Sequence, residues 1–393
     1  MVHPMTGHNV LKQRLIDSIK RDGPMPLEDF MATALTHPQH GYYTTRDPLG
    51  RAGDFITAPE ISQVFGELLG LWGADLWSRM GCPENLNLIE LGPGRGTLMQ
   101  DILRVAEKLP GFADTLSVHF VETSPVLQQA QAKAVAAYPV SPSWHADIPA
   151  LLTALSADAP PAPCLIYANE FFDALPIRQY VKNGTGWSLR HVGLTQTDAL
   201  SYIDIACTDK PETNMTAEDG DILETCPTGA KLLASLAAHI KTHGGGALVI
   251  DYGYGETAFG DSFQALEKHQ QVHPLASPGT ADLTAHVNFQ TLAATAHAAG
   301  CAVHGPVTQR HFLQKLGIEA RFNRLKQNAE ASLQTSLAAA QDRLTATDQM
   351  GALFKVMALT APDTAVPDGF ASPNNQDKNT DKGEGESEGE DEA

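Results

Sequence analysis

The chain has no paired cysteines, no long apolar run and little positive charge, and each shortage removes a class of function. Its five cysteines, Cys82, Cys164, Cys207, Cys226 and Cys301, lie far apart with no zinc or dithiol spacing. They read as small buried hydrophobes in a reducing compartment, not as a disulfide framework. No stretch approaches the roughly 20 apolar residues that cross a bilayer, and the N-terminus shows neither a secretory pattern nor an Arg- and Ser-rich transit pattern. The expectations are no integral membrane segment and a cytoplasmic protein. Lys and Arg number 27 against 46 Asp and Glu, a net charge of −19, which argues against nucleic acid and suits a cationic partner. No internal repeat is visible. His37 and His40 stand at a ligand-like interval, but Pro38 lies between them and no third ligand is near, so no metal is expected.

At 393 residues, 42% of them hydrophobic, the chain can bury a sizeable core. Residues 373–393 are the exception: eight acids, two lysines and almost nothing apolar, a composition that stays solvated. This tail carries −6 of the net charge, leaving −13 on the body.

Residues 86–98 hold the most informative pattern, an apolar strand that ends at Glu90 and runs into Gly92, Gly94 and Gly96. Glycine suits a strand-to-helix turn that brings free N–H groups close to a ligand. A dinucleotide fingerprint would place its third glycine at position 97, which is Thr. Glu-x-Gly-x-Gly-x-Gly is instead the pattern of an S-adenosyl-L-methionine (SAM) pocket. A second strand, 117–122, ends in Glu122, about where such folds set a carboxylate on ribose hydroxyls. Asp147 follows Trp144-His145-Ala146 and is placed either beside the adenine amino group or as a helix cap. A fourth strand, 164–168, ends in Asn169-Glu170-Phe171-Phe172-Asp173, where polar groups line the crevice of a parallel sheet.

Along the chain, helical patterns at 10–20 and 27–35 are separated by Gly23-Pro24-Met25-Pro26. The organisation expected is a helical cap and lid over 1–80, a Rossmann-like SAM-binding core over 81–256 with an antiparallel insertion at about 177–230, a C-terminal completion over 257–360, and a disordered acidic tail over 361–393. The stretch 318–345 reads as one long helical segment.

With these segments in place, the chain resembles the MidA family of SAM-dependent methyltransferases, whose mitochondrial members are complex I assembly factors that methylate arginine in a subunit of that complex. The resemblance rests on Gly41-Tyr42-Tyr43, on the run Gly53 to Gln63 with Phe65-Gly66-Glu67, on Glu90 to Gly96, on Asn169 to Pro176, on Asp251-Tyr252-Gly253 and on Ala281 to Val287. It covers about residues 10–360. Asn288 departs from the Asp usual in relatives, and the acidic tail has no counterpart. The resemblance implies an α/β fold, a Rossmann-like methyltransferase sheet with an N-terminal helical cap and inserted substrate-binding elements. It also implies SAM as cofactor and a protein substrate such as a subunit of respiratory complex I. A small-molecule methyltransferase and a SAM-binding assembly chaperone without essential catalysis are the competing readings.

Arginine is a difficult acceptor, because its guanidinium stays protonated up to a pKa above about 12 and attacks only when held in one orientation as a proton leaves. Glu170 and Asp173, three apart, would share one face of a helical turn and supply that orientation, with Asn169 fixing the nucleophile; the alternative role for both acids is capping that turn. Phe171 or Phe172 would lie against the guanidinium plane, the other being core. The cofactor set is then Glu90, Gly92, Gly94, Gly96, Glu122 and Asp147, joined by Thr57 and Glu60 of an ordered lid that either contacts cofactor or only holds its loop.

Overall fold

The computed structural model describes residues 7–45, 57–157, 161–327 and 329–370. Seven strands form the central sheet: β1 (Leu86–Leu91), β2 (Leu116–Val121), β3 (Ser143–His145), β4 (Cys164–Asn169), β5 (Gly245–Tyr254), β6 (Ala302–Thr308) and β7 (Phe354–Thr360), with a short segment, Val287–Asn288, pairing alongside β5. Their spatial order is 3-2-1-4-5-7-6. β1 to β5 pair in parallel, and β7 runs antiparallel to β5 and β6. Parallel strands are covered on both faces and read as unbroken apolar runs; all six residues of β1 are buried. The chain order reverses between β1 and β4, and in such sheets the crevice at the strands' carboxyl ends is the ligand site.

On one face, the helix Gln63–Arg79 packs beneath the sheet together with Thr97–Ala106, burying Phe65, Leu69, Trp72, Met99 and Ile102 against Leu88, Phe120 and Leu165. Close approach is possible because Gly66 and Gly73 face Asp101 and Tyr167, where an added Cβ would sit 2.4 Å and 2.3 Å from side-chain atoms. The Tyr167 hydroxyl donates to the Leu69 carbonyl at 2.8 Å, satisfying the one polar atom this buried ring carries. Helices Ile148–Ala157, Pro227–His243 and Phe289–Ala298 cover the other face.

A second core lies outside the sheet. Leu11, Leu15, Phe30, Met31 and Leu35, from the helices Gly7–Asp22 and Leu27–Thr36, pack with Ile177, Val192, Phe263 and Leu283. The N-terminal helices are therefore seated on the antiparallel sheet built from Met25–Pro26, Arg178–Asn183, Gly186–Leu194, Leu200–Cys207 and Ile222–Thr225, and on the segment reaching Leu283. The long stretch expected over 318–345 divides into Ile318–Gln327 and Ala331–Thr345, because Glu330 adopts an extended ψ of 159° that no helix continues through. Asn288 caps Phe289–Ala298, its side chain accepting from the Thr291 N–H. Of the segment expected to be disordered, 361–370 is placed, with Phe370 5.3 Å from Phe312, and 371–393 lies outside the described residues.

Gly279 joins the cap to the loop before Leu283. Its φ is +83°, and a Cβ there would lie 2.3 Å from the His40 carbonyl oxygen. Gly279→Ala is expected to cost ~2–4 kcal/mol through left-handed strain and displaced backbone, read as a lower midpoint in urea denaturation.

Candidate active site

The turn after β1 is shaped for close approach. Gly92, Gly94 and Gly96 hold φ of +61°, +54° and +82°. A side chain on Gly92 would press on Phe171 at 3.1 Å, and one on Gly96 on the Gln131 backbone at 3.1 Å. Glu90 is buried at the end of β1; burial pushes its pKa well up, and its Oε2 has no partner among the described residues. Thr97 opens the following helix and its hydroxyl donates to Glu60 Oε1 at 2.5 Å. Glu60 thus ties the segment Ala58–Ile61 to the glycine turn, while Thr57, just before that segment, lines the cavity. Asp54, Phe55 and Ile56 of the expected lid lie outside the described residues.

Glu122, past the end of β2, accepts from the Ser124 N–H at 2.7 Å and from Gln131 Nε2 at 3.1 Å, and burial raises its pKa. The fully buried Gln131 also donates to the Gly94 carbonyl at 2.7 Å and accepts from Trp144 Nε1 at 2.8 Å. It locks the glycine turn and Glu122 into one frame, a role with no local signature because Gln131 sits mid-helix in Pro125–Val135. Asp147 is exposed and accepts from the Ala150 N–H at 2.7 Å, so it caps the next helix while also lining the cavity.

Asn169, Glu170 and Asp173 stand at the end of β4, but no helical turn brings the two acids together. Glu170 has φ +51°, and the N–H groups of Phe171, Phe172 and Asp173 all point to Asp251 Oδ2 at 3.0–3.2 Å. Asp251, on β5 and fully buried, takes a fourth N–H from Tyr252 at 3.0 Å. Burial and the neighbouring Asp173 and Glu170 push its pKa up, whereas four N–H donors favour its ionised form. Capping of this turn therefore falls to Asp251, leaving Glu170 and Asp173 to other partners. Glu170 Oε1 accepts from the Ala58 N–H at 3.3 Å and from Asn169 Nδ2 at 3.2 Å. Burial, then the charge of Asp173, lifts the Glu170 pKa to about 8. Asp173 is buried and accepts from the Tyr252 hydroxyl at 2.5 Å, and burial lifts its pKa to about 6. Phe172 belongs to the core, and Phe171 lines the cavity.

One cavity of about 570 Å³ unites these groups, within the usual range for small-ligand sites. Gly92, Gly94, Glu122, Asp147, Asn169, Glu170 and Asp173 all line it. All the expected site residues line it except Gly96, which shapes the turn from behind. Tyr43, Tyr252 and Asp282 line it too. These three fall inside the resembling motifs, yet only the folded chain brings them to Asp173.

Residues 68–307 match the model of a family described as "Putative S-adenosyl-L-methionine-dependent methyltransferase". The chain is 37% identical over 380 residues to the protein arginine methyltransferase NDUFAF7, mitochondrial, of Xenopus tropicalis, covering 89% of this chain and 85% of that one. It belongs to this family of methyltransferases. The human NDUFAF7 is 36% identical, covering 91% of this chain and 83% of its own. A Burkholderia thailandensis structure bound to S-adenosyl-homocysteine shares the fold, with a TM-score of 0.79 at 24% identity over 94% of this chain and 97% of that one. SAM is the cofactor of this methyltransferase, and the left-handed glycines and the unpartnered Glu90 oxygen suit a small cationic zwitterion. The relatives are named as mitochondrial proteins, which overturns the expectation of a cytoplasmic one. That expectation rested on a missing N-terminal pattern, which weighs nothing against similarity along nine-tenths of the chain.

Asp251→Asn turns an N–H donor toward backbone donors and is expected to destabilise the methyltransferase by ~2–4 kcal/mol, seen as a lower urea midpoint at unchanged slope.

Proposed function

We propose that this methyltransferase methylates arginine in a partner protein, with Glu170 as the group that orients the guanidinium and takes its proton. The observation that carries the reading is a single cavity joining the glycine turn to the Glu170 and Asp173 carboxylates. When bound, SAM supplies an electrophilic methyl whose C–S bonding pair leaves with sulfur. Gly92 and Gly94 would hold it through backbone N–H groups, Glu90 would face its ammonium and Glu122 its ribose hydroxyls. Asp147 would border the adenine, and Thr57 and Glu60 would close the pocket over the glycine turn.

What remains for the chain is positioning and one proton. A carboxylate accepting paired N–H bonds fixes a guanidinium in plane and offsets its charge. Asn169 braces Glu170 through the 3.2 Å bond and leaves its own buried Oδ1 unpartnered among the described residues, suited to the acceptor N–H. Phe171 would flank the guanidinium plane. The NDUFAF7 relatives, named as protein arginine methyltransferases, support the same acceptor. The resemblance extends it to a subunit of respiratory complex I and to assembly of that complex.

A base with pKa near the working pH is the efficient one. A carboxyl raised to about 8 is protonated below that pH, so kcat/KM is expected to climb about tenfold per pH unit toward 8 and then level. Glu170→Gln is expected to flatten that limb and lower kcat by ~100-fold or more, measured as label transferred from SAM to arginine in acceptor peptides. A profile with the same limb in Glu170→Gln would remove Glu170 from the proton's path.

A further inference from the structure

The short segment Ala58–Ile61 is held from two sides of the site. On the cofactor side the Thr97 hydroxyl, at the first residue of the helix after the glycine turn, donates to Glu60 Oε1 at 2.5 Å. On the other side the Ala58 N–H donates to Glu170 Oε1 at 3.3 Å, beside the 3.2 Å bond from Asn169 Nδ2. Between these anchors lies Pro59, whose ring fixes φ, and the Glu60 N–H closes the turn on the Thr57 carbonyl at 3.0 Å. Ala58 and Pro59 are both buried. Beyond Ile61 the Ser62 hydroxyl accepts from the Val64 N–H at 3.2 Å and caps the helix Gln63–Arg79. A turn this short moves as one piece, so a shift at Glu60 is felt at Ala58.

We infer that Thr97 is a positioning residue for Glu170: by holding Glu60 it keeps the Ala58 N–H on the carboxylate that takes the acceptor's proton. This rests on Glu170 as that proton acceptor and adds a control on it from the cofactor side. An N–H donated to a carboxylate favours its ionised form, and Ala58 and Asn169 act in that sense on Glu170, against burial and neighbouring acids. Asp173 on the same turn and Asp282 on the strand Asp282–Thr284 push the Glu170 pKa up, and Asp251 on β5 feels the charge of Glu170 in turn. Glu60, Arg95 and His286 line the same cavity. Without the Thr97 bond the turn loses one anchor, the Ala58 donor drifts, and the Glu170 carboxyl keeps its proton to higher pH. Threonine acts here through its hydroxyl, which serine also carries.

The test follows Glu170 directly, by infrared difference spectra of the full-length protein across pH, with the carboxyl band assigned by its loss in Glu170→Gln. Wild type is expected to titrate at about 8. Thr97→Val, which keeps the branched shape, and Thr97→Ala are expected to titrate ~0.5–1 pH unit higher, and Thr97→Ser at the wild-type midpoint. The rising limb of kcat/KM is expected to move by the same amount, so that transfer at pH 7 falls ~3- to 10-fold in Thr97→Val and Thr97→Ala. An unchanged Glu170 midpoint in those two variants, with or without weaker S-adenosyl-homocysteine binding, overturns this inference and leaves the arginine reading standing. A midpoint that moves while the kinetic limb stays in place overturns Glu170 as the proton acceptor, and this inference with it.

Discussion

The Asp251 carboxylate gathers four backbone N–H groups at the point where β4 and β5 end side by side, and the geometry of the site follows from that. Three of those donors are consecutive, which forces the chain after β4 into a tight nest with Glu170 left-handed at its entrance. The Glu170 carboxylate then meets the N–H of Ala58, so a sheet-based turn also fixes the segment that precedes the helix under the sheet. A neutral side chain at 251 would leave buried N–H groups without a charged acceptor. One charge in the wall thus sets the direction of another in the cavity.

Much of this was legible along the chain, because the parts that contact a ligand sit at strand ends and strand ends are written locally. The apolar run into Glu90, the three glycines, Glu122 and the Asn169 to Asp173 segment all declare themselves within a few residues. The parts that hold those groups were not legible. Asp251 lies in an apolar strand about 80 residues from the turn it caps, Gln131 lies inside an ordinary helix, and Tyr43 is 239 residues from its partner Asp282. The helical turn expected at Glu170 failed for the same reason: spacing alone cannot register a distant carboxylate that claims the N–H groups a helix would use.

Two hydrophobic cores meet at the cavity, one under the central sheet and one joining the N-terminal helices to the antiparallel insertion. The glycine turn and Glu122 belong to the first body, Tyr43 and Asp282 to the second, and Asn169, Glu170 and Asp173 stand where they meet. Methyl transfer needs water excluded and two reactants aligned, and a cavity lined by separately packed parts of the fold gives each reactant a rigid wall to align on. The cap and the sheet must be seated together for Tyr43 to line the same cavity as the glycine turn, and Gly279, packed on the His40 carbonyl, lies at that seam.

Charge accounting explains why so many acids share this interior. On the proposed reading the site holds two cations before transfer, a sulfonium and a guanidinium, and one after it, once the proton has moved to a carboxylate. Glu90, Glu170 and Asp173 line a cavity of about 570 Å³; burial raises the pKa of all three, and repulsion from neighbouring carboxylates adds to the rise at Glu170. Two bound cations relieve that repulsion, so the acids favour the reactant complex. Loss of one positive charge and protonation of Glu170 then weaken the grip on products. A net charge of −13 on the body of the chain acts in the same direction at longer range, drawing a cationic segment toward the cavity before contact is made.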